Sequence, residues 1–139
     1  MKKITIVIII ALWNLNSFCQ NTTIQKLIES FGEQRVQYLT NHYPDSLEFY
    51  KFVLENGFQI ISQKYIKTEK LTHASTISLP TNCLKNNIPQ PELINIFSLP
   101  VSFSHNQNNY YYIQGTDYIL SLRSKEYLQN KFNAKPIQK

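Results

Sequence analysis

Cysteine, histidine and aspartate in that order could supply a nucleophile, a base and an orienting acid, and this chain carries them at Cys83, His105 and Asp117. A thiolate nucleophile needs a base within hydrogen-bond reach and a third group to hold that base. It also needs a helix N-terminus or a neighbouring cation to favour the charged form. Cys83 lies in Thr81-Asn82-Cys83-Leu84-Lys85, which offers neither a glycine-lined turn nor a helix start. We read it as an unreactive thiol and the chain as non-enzymatic, with no catalytic residue assigned.

Metal and cofactor chemistry find no better footing. His42, His73, His105 and Cys83 form none of the short pairs, such as C-x-x-C or H-x-x-x-H, that place two ligands on one element. His42 with Asp45 is the closest pair, and Asp45 is better used as a helix cap. The three glycines, Gly32, Gly57 and Gly115, stand too far apart to build a phosphate-cradling loop. No spacing among the nine carboxylates singles out an acid–base pair. Neither a metal nor a cofactor is expected.

Tyrosines are the more promising chemistry. Gly115-Thr116 separates two runs rich in aromatic and β-branched residues, and glycine at the first central position suits a two-residue type II′ hairpin loop. Gln114 then pairs with Asp117, Tyr112 with Ile119 and Tyr111 with Leu120. Alternation places Tyr111, Ile113, Tyr118, Leu120 and Leu122 on the core face. Tyr110, Tyr112, Gln114, Asp117, Ile119, Ser121 and Arg123 take the other face. Tyr110 and Tyr112, roughly 7 Å apart along one strand, would with Gln114, Asp117 and Arg123 form a surface able to receive a partner's side chain or to stack a sugar.

The elements that must hold these residues can be read from periodicity. Ile24, Leu27, Ile28, Phe31, Tyr38 and Leu39 recur at helical spacing, predicting an amphipathic helix over 22–41 that Gly32 can break. Tyr43-Pro44 stops it. Asp45, three residues before Glu48, reads as the capping box of a second, mostly buried helix over 46–56, with Gly57 as its left-handed cap. Strand-like runs follow at 58–67, 74–79, 101–104, 110–114 and 118–123. Parity pairs Ser104 with Tyr110 and Phe103 with Tyr111, leaving His105 to Asn109 as a connecting loop. Pro80 to Pro100, with four prolines and several asparagines, reads as a long surface loop in which Glu92 to Phe97 could form one helical turn or a short strand. Ser124 caps a final helix over 125–133 whose Leu128 and Phe132 face inward. The expected fold is α+β: two N-terminal helices packed on a small, mainly antiparallel sheet of hairpins, with a short C-terminal helix.

Lys2 and Lys3, the apolar run from Ile4 to Trp13 and the small residues at Ser17 and Cys19 resemble a secretory signal peptide with cleavage after Cys19. Asn14 and Asn16 interrupt the run well short of the roughly 17 to 25 apolar residues of a spanning helix. A lipid-modified Cys19 is the alternative, although bulky Phe18 suits that processing badly. Cleavage leaves 120 of the 139 residues, ample for one small domain over 20–139. The formal charge of +5 falls to +3 as Lys2 and Lys3 depart. Arg35 and Arg123 are the only arginines and the lysines are scattered, so there is no basic stripe to follow a nucleic-acid backbone. Cys83, left alone, has no intramolecular disulfide partner. Asn21-Thr22-Thr23 matches a glycosylation sequon that abuts the cleavage point. The expected function is a secreted or periplasmic accessory protein that binds another protein; the alternative is a small glycan-binding module.

Overall fold

A computed structural model describes residues 22–134. The expected signal segment 1–19, the expected cleavage junction after Cys19, Asn21 of the sequon match and the residues beyond Ala134 lie outside the described residues. Among the described residues there are four helices, a mixed four-stranded sheet and a two-stranded sheet, an α+β arrangement with a short C-terminal helix. The chain divides into two compact units whose boundary, between Leu47 and Glu48, falls inside a helix.

The first unit contains α1 (22–31), α2 (Glu33–His42) and the opening turn of α3 (Pro44–Asn56). Gly32, at φ 85°, separates α1 from α2 at the anticipated break. Leu27, Val36 and Leu39 are buried, whereas Tyr38 is exposed and stacks on His42 with ring centroids 4.5 Å apart. The start of α3 differs from expectation. Pro44 takes the first helical position, where its missing N–H costs nothing, so Asp45 lies within the first turn and is not the cap. In the second unit Glu48 accepts from Lys51 Nζ at 2.6 Å, so its carboxylate is turned along the helix and not back to a cap.

The remainder of α3 leads into the sheet, which comprises β1 (Phe58–Ser62), β2 (Ser75–Ile77), β5 (Asn109–Ile113) and β6 (Tyr118–Leu122) in the order β1-β6-β5-β2. Two of its pairings are antiparallel; β2 runs parallel to β5. The hairpin register agrees with alternation, Tyr111 opposite Leu120 and Tyr112 opposite Ile119. Its loop does not. Four residues, Gln114 to Asp117, connect the strands, and Gly115 occupies the second central position at φ 75°. The Thr116 N–H donates to the Ile113 carbonyl at 3.2 Å, and the Thr116 hydroxyl accepts from the Tyr118 N–H at 3.1 Å. That hydroxyl stabilises a wider turn than a glycine-first loop would make.

The segment 101–104 forms no strand, because β2 occupies the edge of β5. Side chains hold it instead: Asn109 Nδ2 donates to the Ser102 carbonyl at 2.7 Å, and the Ser102 N–H donates to the Tyr111 hydroxyl at 3.0 Å. Strand β6 is covered on both faces, since Ile119 and Ser121 are as buried as Leu120 and Leu122. The face of β6 expected to be outward is therefore interior.

The surface loop expected over 80–100 is folded. Leu84–Lys85 (β3) and Ile88–Pro89 (β4) form a small hairpin. Asn86 and Asn87, at φ 51° and 60°, supply its left-handed two-residue turn. Two 3₁₀ turns, Pro91–Leu93 and Ile96–Ser98, follow, and Ile94 and Ile96 are fully buried. The prolines punctuate short elements without forbidding them.

Gly57 is not left-handed. Its N–H donates to the Val53 carbonyl at 2.7 Å, and a Cβ at this position would collide with that same oxygen. Glycine is needed here for close approach, and its carbonyl then accepts from the Arg123 N–H at 2.9 Å, joining the end of α3 to the end of β6. Ser124 caps α4 (Lys125–Asn133) as anticipated, its hydroxyl accepting from the Tyr127 N–H at 3.1 Å. Phe52 and Val53 of α3 meet Leu128 of α4 in a core surrounded by Phe49, Phe97, Phe103 and Phe132. The Phe49 and Phe132 rings pack edge-on at 5.3 Å.

Candidate functional site

Parallel pairing of β2 with β5 sets Ser75 beside Tyr111 and brings the segment before β2 against the loop before β5. Between them opens a groove of about 620 Å³. One wall is Glu69, Lys70 and His73, from the 3₁₀ turn Thr68–Leu71 and the bend after it. Gln107, Asn108 and Asn109 supply the other wall, and Tyr110 and Tyr111 line it from β5.

The asparagine wall is fixed by its bonds. Asn108 Oδ1 accepts from the Ser124 N–H at 3.1 Å. Asn109 Oδ1 accepts from the Ser104 hydroxyl at 2.7 Å while its amide donates to Ser102. The carbonyls of Ser104 and His105 accept the Lys125 and Glu126 N–H groups at 2.9 and 3.0 Å. The loop is thereby clamped to the first turn of α4, satisfying N–H groups that a helix leaves unpaired. Chemically, the groove presents carboxylate, ammonium, imidazole, amide and phenol groups in an open cleft that suits a polar ligand. Its volume lies within the roughly 300–1,000 Å³ of small-molecule sites.

The five residues proposed from sequence do not share one recess. Tyr110 lines the groove and is half-buried. Tyr112, also half-buried, sits between Thr76 of β2 and Ile119 of β6. Gln114 is exposed, and its Oε1 accepts from the Ser78 hydroxyl at 2.5 Å. Asp117 lines a different hollow with Asn86, Asn87 and Tyr118. Arg123 lies at the other end of β6, its guanidinium 5.1 Å from the centre of the Tyr127 ring. Same-side alternation along a hairpin does not bring residues into one cleft when the hairpin is the interior of a wider sheet.

His73, Glu69 and Lys70 were not anticipated as site residues. They reach Tyr110 only through the parallel β2–β5 pairing, which no local pattern announces; the Gln107-Asn108-Asn109 run was the available signal. Cys83 is buried and its thiol donates to the Leu93 carbonyl at 3.3 Å, while His105 and Asp117 are exposed. Among the described residues no three His, Cys, Asp or Glu side chains group as metal ligands. Among the described residues no helix is long and apolar enough to cross a membrane. Compared with family models, curated proteins and solved structures, the chain matches none.

Proposed function

We propose that the protein acts outside the cytoplasm as a non-enzymatic interaction module, binding a partner protein through the groove beside Tyr110. The observation that carries this reading is the groove's position at an open sheet edge. Among the described residues strand β2 pairs on one side only, and Ser75 and Thr76 are exposed. An extended segment of a partner can bond its main chain to that edge and place a side chain between Tyr110 and His73, the strand-addition mode of recognition. Polar walls then supply specificity and the backbone bonds supply affinity.

A second reading, a glycan ligand, is favoured by the groove's own lining. Tyr110 offers a ring and the amides of Gln107 and Asn108 offer hydrogen-bonding groups suited to sugar hydroxyls. One pair of variants tests both. Thr76→Pro removes main-chain pairing capacity at the edge, whereas Tyr110→Ala with His73→Ala strips the groove. A protein partner recovered from envelope extract is expected to be lost with both variants, and a glycan only with the second. Binding that survives both variants, in proteins whose circular dichroism matches the parent, overturns the proposal.

A further inference from the structure

Arg123, Tyr127 and Lys131 stand four residues apart, with Arg123 closing β6 and the other two on α4. Tyr127 and Lys131 therefore share one face of α4, and Arg123, in the link between β6 and α4, extends that row. The Arg123 guanidinium lies 5.1 Å and the Lys131 ammonium 5.9 Å from the centre of the same Tyr127 ring. The row forms one wall of a recess of about 380 Å³, faced by Asn56, Phe58 and Gln59.

Three observations make the recess a receptor for negative charge. Neither Arg123 nor Lys131 forms an ion pair with a carboxylate among the described residues, even though Glu55 also borders the recess. Arg123 is half-buried and held at both ends, its backbone N–H donating to the Gly57 carbonyl and its guanidinium resting over the Tyr127 ring. Such a preordered side chain loses little freedom on binding. A guanidinium laid over an aromatic ring keeps its edge N–H groups available, and that planar fork matches a carboxylate in two parallel bonds. Two cations are too few to track a polyphosphate backbone, which requires a longer basic surface.

The rest of the lining narrows the ligand. Phe58 lines the recess with apolar surface and the Gln59 amide presents a donor and an acceptor, a combination fitted to a ring bearing both C–H groups and hydroxyls. Asn56 donates from its amide nitrogen to the Phe52 carbonyl at 3.0 Å, which leaves its oxygen to accept from a hydroxyl. We propose that this recess is a second binding site, separate from the groove beside Tyr110, and that its ligand is a carboxylated sugar such as a uronate residue of an acidic polysaccharide.

The test is calorimetric titration of the full mature chain with an oligouronate. A neutral oligosaccharide of equal length and a glutamate-rich peptide serve as comparison probes. The oligouronate is expected to bind, to weaken steeply as salt rises, and to lose about tenfold in affinity with Arg123→Gln and again with Lys131→Gln, the scale of one charge-assisted hydrogen bond each. Lys85→Gln, which removes the same charge on the exposed β3 strand, is expected to leave affinity unchanged. Failure of the oligouronate to bind overturns the site. So does equal weakening by Lys85→Gln, which would reduce the effect to net charge. Binding of the acidic peptide in place of the oligouronate overturns the ligand class.

Discussion

Gly57 illustrates how much a single position can decide. The Val53 carbonyl accepts its N–H, and that oxygen with the Val53 Cγ1 fills the space where a side chain would begin. Gly57→Ala is therefore expected to cost about 1–3 kcal/mol, the penalty of overpacking a well-packed site, measured as a lower urea midpoint. At Gly115 nothing lies within 4 Å of a Cβ, and only the φ of 75° opposes a substitution. Gly115→Ala is expected to cost about 1 kcal/mol, so the midpoints should order parent, Gly115→Ala, Gly57→Ala. Cys83→Ser is expected to keep fold and binding, because a hydroxyl can make the same bond to the Leu93 carbonyl; loss of binding with retained circular dichroism would give the thiol a direct role. Legibility at this scale was uneven. Ser124 as a cap and Leu128 as a core residue follow from local pattern alone. Asp45 and Glu48 also matched a local pattern, yet Pro44 started the helix earlier and Lys51 captured the glutamate. A short motif fails when a neighbour a turn away makes a better bond.

At the scale of elements, α3 and α4 share the aromatic core, so their substitutions should be costly in proportion to burial. Phe52→Ala is expected to lose about 3–5 kcal/mol, and a melting temperature within a degree or two of the parent would make α3 peripheral. Ser124→Ala removes one cap bond and is expected to cost about 1 kcal/mol. Ile94→Ala discriminates the folded segment 80–100 from a surface loop: about 2–5 kcal/mol is expected for a buried isoleucine, against less than about 0.5 kcal/mol for an exposed one. The helices and the β5–β6 register were legible because their pairing partners are close in sequence. The parallel placement of β2, and with it the groove, was not. Thr76 and Tyr112 carry no mark of each other, and the alternating apolar and polar residues of 101–104 offered parity an equally regular but incorrect neighbour. The prolines of 80–100 concealed Ile94 and Ile96 for a related reason, since burial can be achieved by 3₁₀ turns that leave no periodic signature.

For the molecule as a whole, protection should follow the order of the sheet. Strand β6 is paired on both sides and buried on both faces, so its amides are expected to exchange with solvent most slowly, while those of β2 and of the β3–β4 hairpin exchange early. Native-state hydrogen exchange read residue by residue checks this; fast exchange throughout β6 would contradict its central position. The same sheet has a kinetic consequence. Strands β5 and β6 are separated by a four-residue loop, but β2 meets β5 across 36 positions and β1 meets β6 across 56 to 64. Long loops cost chain entropy before their bonds form, so the central hairpin is expected to assemble first, with both edges unpaired until β1 and β2 dock. During that interval Tyr110, Tyr112 and Ile119 lie on an open two-strand ribbon that another nascent chain can extend as readily as β1 or β2. Refolding yield should accordingly fall as protein concentration rises, because the ribbon stays open until both β1 and β2 have docked.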